Sequence, residues 1–171
     1  MKTLIVGLTG QTGAGKSTVA AKLAEKGFLV IDGDVVAREI MQAGSPVLKT
    51  LANEFGADII KEDDSLNRRL LASRAFASRD GTARLNGITH PAITENIKQK
   101  IAEAKKRGES VIVIDAAVLL ESGAAKLCDI IAVVTAPEEI RLNRIMERDD
   151  LSKAEAMKRI NAQHGEDYYN N

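Results

Sequence analysis

Short apolar runs alternate with longer amphipathic stretches along this chain. Leu4–Leu8, Phe28–Ile31, Val111–Ile114 and Ile130–Val134 are almost continuously apolar and rich in β-branched residues. Such runs predict strands covered on both faces, and therefore a parallel sheet. Helical spacing occupies Lys16–Lys26, Val35–Gln42, Pro46–Phe55, Arg68–Ala77, Pro91–Arg107 and Pro137–Arg148. Pro46, Pro91 and Pro137 are expected in first turns, where a missing amide costs nothing. Gly27 and Gly108 follow charged helix ends, as C-terminal caps do. The alternation makes the fold α/β with a parallel sheet. One interval departs from it. From Val35 to Gly108 the pattern is helical with no strand, which marks an insertion and a candidate substrate-binding region.

Composition narrows the picture. A length of 171 residues suits one domain, and no repeat or linker divides it. Lys and Arg number 24 and Asp and Glu 24, so the balance argues against nucleic-acid or membrane-surface partners. The one cysteine, Cys128, allows no internal disulfide and is expected as a buried structural thiol. The opening MKTLIVGLTG is too weakly apolar for a signal peptide, and no segment approaches the ~20 apolar residues of a membrane span. A cytoplasmic protein is expected.

The chemistry begins behind the first strand, in TGQTGAGKST. Gly10, Gly15, Lys16 and Ser17 satisfy G-x-x-x-x-G-K-[ST]. Glycines let backbone amides curl around a phosphate where a Cβ would obstruct it. A helix starting at Gly15–Lys16 adds its positive end. Gly13, Ala14, Gly15, Lys16, Ser17 and Thr18 are thus the candidate ATP-binding residues, with the Ser17 hydroxyl a ligand for Mg²⁺.

The next strand runs into VIDGDVVAR, which sets Asp32 and Asp34 at its carboxyl end, the edge that faces the ligand crevice in open α/β sheets. A carboxylate there can receive the proton of a phosphoryl acceptor or orient it. Asp34 is also expected to cap the helix from Val35. Arg38, one turn on, either pairs with Asp34 or contacts ligand. Asp115 ends VIVID, where a carboxylate near Mg²⁺ and a structural hydrogen bond are equally open.

GLTGQTGAGKSTVA followed by VIDGDVVAR resembles the dephospho-CoA kinase family, which phosphorylates the 3′-hydroxyl of dephospho-CoA. LNRRLLASRAF, THPAI, DAAVLLESG and RIMERDDLSKAEAMKRINAQ agree in order, so the resemblance spans nearly the whole chain. It implies a three-layer α/β/α P-loop kinase using ATP and Mg²⁺ on a small-molecule substrate; a monomer is expected, though the sequence does not give the oligomeric state. The core would be about 1–34 and 109–140, the substrate-binding insertion about 35–108, and a helical lid about 141–165. Asp34 would be the base at the ribose hydroxyl. Arg38, Arg68 and His90 would line the acceptor site. Arg144 and Arg148 would belong to the lid and meet the ATP phosphates. Their i,i+4 spacing puts two like charges on one face, a small penalty that an intervening phosphate offsets; Arg148 can instead pair with Asp149 or Asp150.

Three departures stand out. Gln11 replaces a glycine usual in the family pattern, at a position where the motif asks nothing of the side chain. Ala117 stands where a proline is common. After Gln163 the family continues through a final strand and helix, with a segment near the adenine, whereas HGEDYYNN shows neither, and Gly165–Asn171 is expected to be loose.

Overall fold

The structure, a computed structural model, describes residues 2–163 and 166–169. The elements in order are β1 (Leu4–Gly10), α1 (Lys16–Glu25), β2 (Leu29–Asp32), α2 (Gly33–Glu39), α3 (Pro46–Phe55), α4 (Arg68–Ala75) and α5 (Arg79–Lys106). They continue as β3 (Val111–Asp115), β4 (Ile130–Val134), α6 (Glu138–Asp149), α7 (Lys153–Asn161) and the short α8 (Glu166–Tyr169). The four strands form a parallel sheet in the order β2-β3-β1-β4.

Alternation along the strands builds two faces. Ile5, Ile31, Ile112 and Ile114 pack with Ile97 and Ile101 of α5 and with Leu119. Leu8 and Val113 point the other way, onto Ala20, Val19 and Leu23 of α1. The result is the expected three-layer α/β/α arrangement. The segment between β2 and β3 has a core of its own, in which Leu48, Leu51, Phe55, Ile59 and Leu71 meet. A fourth cluster, Leu142, Ile145, Ala156 and Ile160, joins α6 to α7.

The caps explain most boundaries. Gly27 at φ 86° and Gly108 at φ 83° follow α1 and α5 as expected, their amides returning to Ala24 and Lys105. Ser45 caps α3, with Pro46 in its first turn. Other expectations need correction. Pro91 lies inside α5, not at its start, because that helix begins at Arg79 under a Ser78 cap. Gly81, Gly87 and Thr89, weak helix formers, had blurred the periodicity of its first turns. Pro137 is the N-cap of α6 rather than a first-turn residue. Asp32, not Asp34, caps α2: its carboxylate accepts from the amides of Asp34 at 2.7 Å and Val35 at 3.1 Å. Helix α2 therefore begins two residues early and carries Asp34 in its first turn.

Helix α7 lay beyond the helices read from the pattern, although the sequence signals it. Ser152 and Glu155 form a reciprocal capping box, the S-x-x-E signature. Beyond Gln163, where a loose tail was expected, Glu166–Tyr169 are helical; Gly165, Asn170 and Asn171 lie outside the described residues. No described helix is long and apolar enough to cross a membrane.

Candidate active site

The sheet order places the ends of β1, β2 and β3 side by side. In the register Asp115 stands between Leu8 of β1 and Asp32 of β2, so the loops after these strands share one edge. The loop after β1 must bend tightly, and glycines allow it. Gly10 has φ 154°, and a Cβ there would come within 2.4 Å of the Val134 carbonyl oxygen. Gly13 has φ 77° and presses on the backbone of Arg141, leaving 2.7 Å from a would-be Cβ to the carbonyl oxygen. Helix α1 follows with no side chain capping its first turn, so its amino end opens on an anion site.

That end forms one wall of a cleft of about 630 Å³. Gly13, Gly15, Lys16, Ser17 and Thr18 line it together with Asp34, Arg144 and Arg148. Ala14 is buried under the loop. The cleft thus faces a phosphate-binding loop with a carboxylate from α2 and two guanidinium groups from α6. Asp115, at the end of β3, forms an ion pair with Lys16 of the cleft wall, both side chains mostly buried. Arg144 Nη1 donates to the carbonyls of Gly13 at 3.2 Å and Ala14 at 3.1 Å. Arg148 donates twice to Asp149, at 2.8 Å each, which raises its affinity for a proton and holds the Asp149 carboxyl below the usual range. The local pairing left open for Arg148 is thus the one observed.

The other acceptor-side candidates lie elsewhere. Arg38 is exposed one turn beyond Asp34. Arg68, first residue of α4, lines a small apolar pocket of about 190 Å³ with Ala37, Met41, Phe76 and Ile93. His90 lines an open groove with Glu121, Lys98 and Lys126. Burial there pushes its imidazole below the ordinary value, and the Glu121 charge works in the opposite direction. The main cleft takes in none of these three. Cys128 is half-buried, and burial pushes its thiol up to about 11, so it stays protonated and inert.

Sequence reasoning missed three residues of this site. Gln11 is 6% exposed, and its Oε1 accepts from Arg141 Nη1 at 2.5 Å. The motif asks nothing of the side chain at position 11, but here that side chain is buried and hydrogen-bonded. Arg141 is 5% exposed and also reaches the Thr12 carbonyl, Nε to O 3.0 Å. Gln163 Oε1 accepts from the Thr12 amide at 2.7 Å. Arg141 was findable: it precedes Arg144 and Arg148 at i, i+3 and i+7, one helix face. Nothing local signals Gln163.

The geometry is matched by comparison with known proteins. A family model described as Dephospho-CoA kinase matches residues 4–168. The dephospho-CoA kinase of Corynebacterium glutamicum is 44% identical over 160 residues, covering 94% of this chain and 82% of the relative. That of Bacillus licheniformis is 39% identical over 161 residues, covering 94% and 80%. Among solved structures, a Thermus thermophilus protein superposes with a TM-score of 0.81 at 29% identity, covering 99% of this chain and 85% of that one. Dephospho-CoA kinase from Campylobacter jejuni gives 0.66 at 28% identity, covering 93% and 79%. The phosphate loop, the parallel sheet and the lengthwise match agree: the chain belongs to the dephospho-CoA kinase family.

Proposed function

We propose that the protein transfers the γ-phosphoryl group of ATP to the ribose 3′-hydroxyl of dephospho-CoA, giving coenzyme A in the last step of its biosynthesis. One observation carries the reading: a single cleft sets Asp34 across from the phosphate loop. Such transfer is mostly positioning and charge stabilisation. The amides from Gly13 to Thr18 cradle the donor phosphates. Lys16 leaves Asp115 to meet them, and Arg144 swings from the loop carbonyls onto the migrating group. Arg148, if released from Asp149, adds a second guanidinium on the same helix face. Asp34 aligns the acceptor hydroxyl and takes its proton late, because an alcohol is too weak an acid to surrender it to a carboxylate beforehand.

The residues present fit a magnesium ion. Ser17 offers an exposed hydroxyl at the amino end of α1, and no group of three or more His, Cys, Asp or Glu among the described residues makes a protein cage. That suits an ion held by one or two protein oxygens plus substrate phosphates. Bound there, it would offset charge on the β- and γ-phosphates. Asp115 would serve through Lys16 or through water.

Residues 35–108 form the acceptor-binding insertion in this reading, with Arg38, Arg68 and His90 toward the parts of dephospho-CoA remote from the reacting hydroxyl, and about 141–165 form the lid. The substrate is a small molecule and the working unit a cytoplasmic monomer. The test is a coupled ADP assay with and without dephospho-CoA, beside isothermal titration of ATP. Asp34→Asn is expected to keep ATP affinity and lose about 10²–10⁴-fold in kcat. Near-normal kcat in that variant would remove Asp34 from the chemistry.

A further inference from the structure

The phosphate loop is held from behind. Arg141 Nε donates to the Thr12 carbonyl at 3.0 Å and Nη1 to Gln11 Oε1 at 2.5 Å, while Gln163 Oε1 accepts from the Thr12 amide at 2.7 Å. Gly13 rests on the Arg141 backbone. Three consecutive loop residues therefore take their positions from α6 and from Gln163, just beyond α7.

Arg141 is an unusual group to place there. It is 5% exposed, and among the described residues no carboxylate forms an ion pair with it. Both of its acceptors are neutral oxygens, and its Nη2 is buried with no hydrogen-bond partner among the described residues. A buried cation without an anion is destabilising on its own. Its place behind a loop built for a polyanion points to a role in that loop's work. Gln11 supplies the counterpart, since the glycine usual at its position in the family pattern has no side-chain oxygen to offer.

We propose that Arg141 is a positioning residue for the nucleotide: through Gln11 and Thr12 it holds the loop backbone in the shape that receives the donor phosphates, and its charge adds to their attraction. Arg141 itself does not touch the acceptor. Its removal therefore weakens ATP and ADP and leaves dephospho-CoA alone. The assignment rests on ATP as the donor at this loop.

The experiment compares Gln11→Ala, Arg141→Met, Arg141→Lys and the Gln11→Ala/Arg141→Met double variant, each checked for its melting temperature. KM for ATP is expected to rise about threefold in Gln11→Ala and about tenfold in Arg141→Met, the loss of hydrogen bonds to a charged group. KM for dephospho-CoA should stay within about twofold, and ADP affinity by calorimetry should fall in parallel with ATP. Arg141→Lys should recover part of the loss. The double variant should be no more than about twofold worse than Arg141→Met, because the two side chains share a hydrogen bond and couple. Unchanged ATP KM in the folded variants, equal rises in both KM values, or fully multiplicative effects each overturn the proposal. Should Arg141→Met not fold, Gln11→Ala and Arg141→Lys decide it by the same criteria. A wild type that releases no ADP on adding dephospho-CoA overturns the proposed function instead, and the ADP titrations then decide this assignment alone.

Discussion

Lys16, at the start of α1, and Asp115, at the end of β3, meet as an ion pair with little water around it. Breaking one side of such a pair leaves a buried charge uncompensated, at a cost of about 3–5 kcal/mol. Lys16→Met is therefore expected to lower stability by about 3 kcal/mol as well as to weaken ATP, whereas Lys16→Met with Asp115→Leu should regain most of the stability and none of the ATP affinity. Chemical denaturation beside an ATP titration separates the two; equal stability of single and double variants would refute the pair's structural part. His90 gives a pH signature. Burial depresses its folded value below the ordinary 6.5, so the unfolded chain takes up the proton first as pH falls. Stability is full above 6.5 and declines below it. Melting temperatures from pH 7.5 to 5 should fall less steeply in His90→Asn than in the wild type. Both chains should lose further stability below the ordinary carboxylate value of 3.8. There Asp149, hydrogen-bonded by Arg148, and Asp129, bonded by the Ile5 amide, are held low in the fold and must protonate. The phosphate-loop motif was legible because its spacing is local in the sequence. Gln11 and Gln163 were not, and Arg141 showed only as part of a basic helix face, because their partners lie more than a hundred residues away and meet only once α6 and α7 dock.

Helix α7 shows how a cap sets an element. Asp150 at φ 51° ends α6, and Ser152 with Glu155 starts α7 by exchanging hydrogen bonds. Ser152→Ala should cost about 1 kcal/mol of stability and speed hydrogen exchange over Lys153–Asn161. Unchanged exchange there would show that packing of Ala156 and Ile160 alone fixes the helix. Helix α5 shows the opposite case, in which a local signal misleads. Proline reads as a helix start, yet α5 continues through Pro91 for 28 residues. Its Ile97, Ile101 and Ala104 are buried on the sheet, and Thr89 Oγ1 bonds back to the Leu85 carbonyl just before the proline. Tertiary burial outweighs the missing amide.

At the scale of the molecule, alternating strands and helices predicted the class, but no run of residues states the order β2-β3-β1-β4. That order depends on which strand the helical insertion leads to, and it is what brings Asp34, Lys16 and Asp115 to one edge. Ligands that bind across this edge should stabilise the whole. ATP with magnesium at about a hundredfold over its dissociation constant should add about 2.7 kcal/mol, read as a higher melting temperature. Absence of any shift at saturating ATP would count against the cleft as the nucleotide site.

The bracing of the loop also bears on how the protein is made. Residues 10–18 leave the ribosome early, but their neighbours in the fold are Asp115 on β3, Arg141 and Arg144 on α6, and Gln163 beyond α7. Synthesis at about 5–20 residues per second leaves the loop without these partners for about 7–30 s. If the bracing is what shapes the loop for nucleotide, as proposed, nucleotide cannot act as an early template for folding, because the braces reach through Gln163.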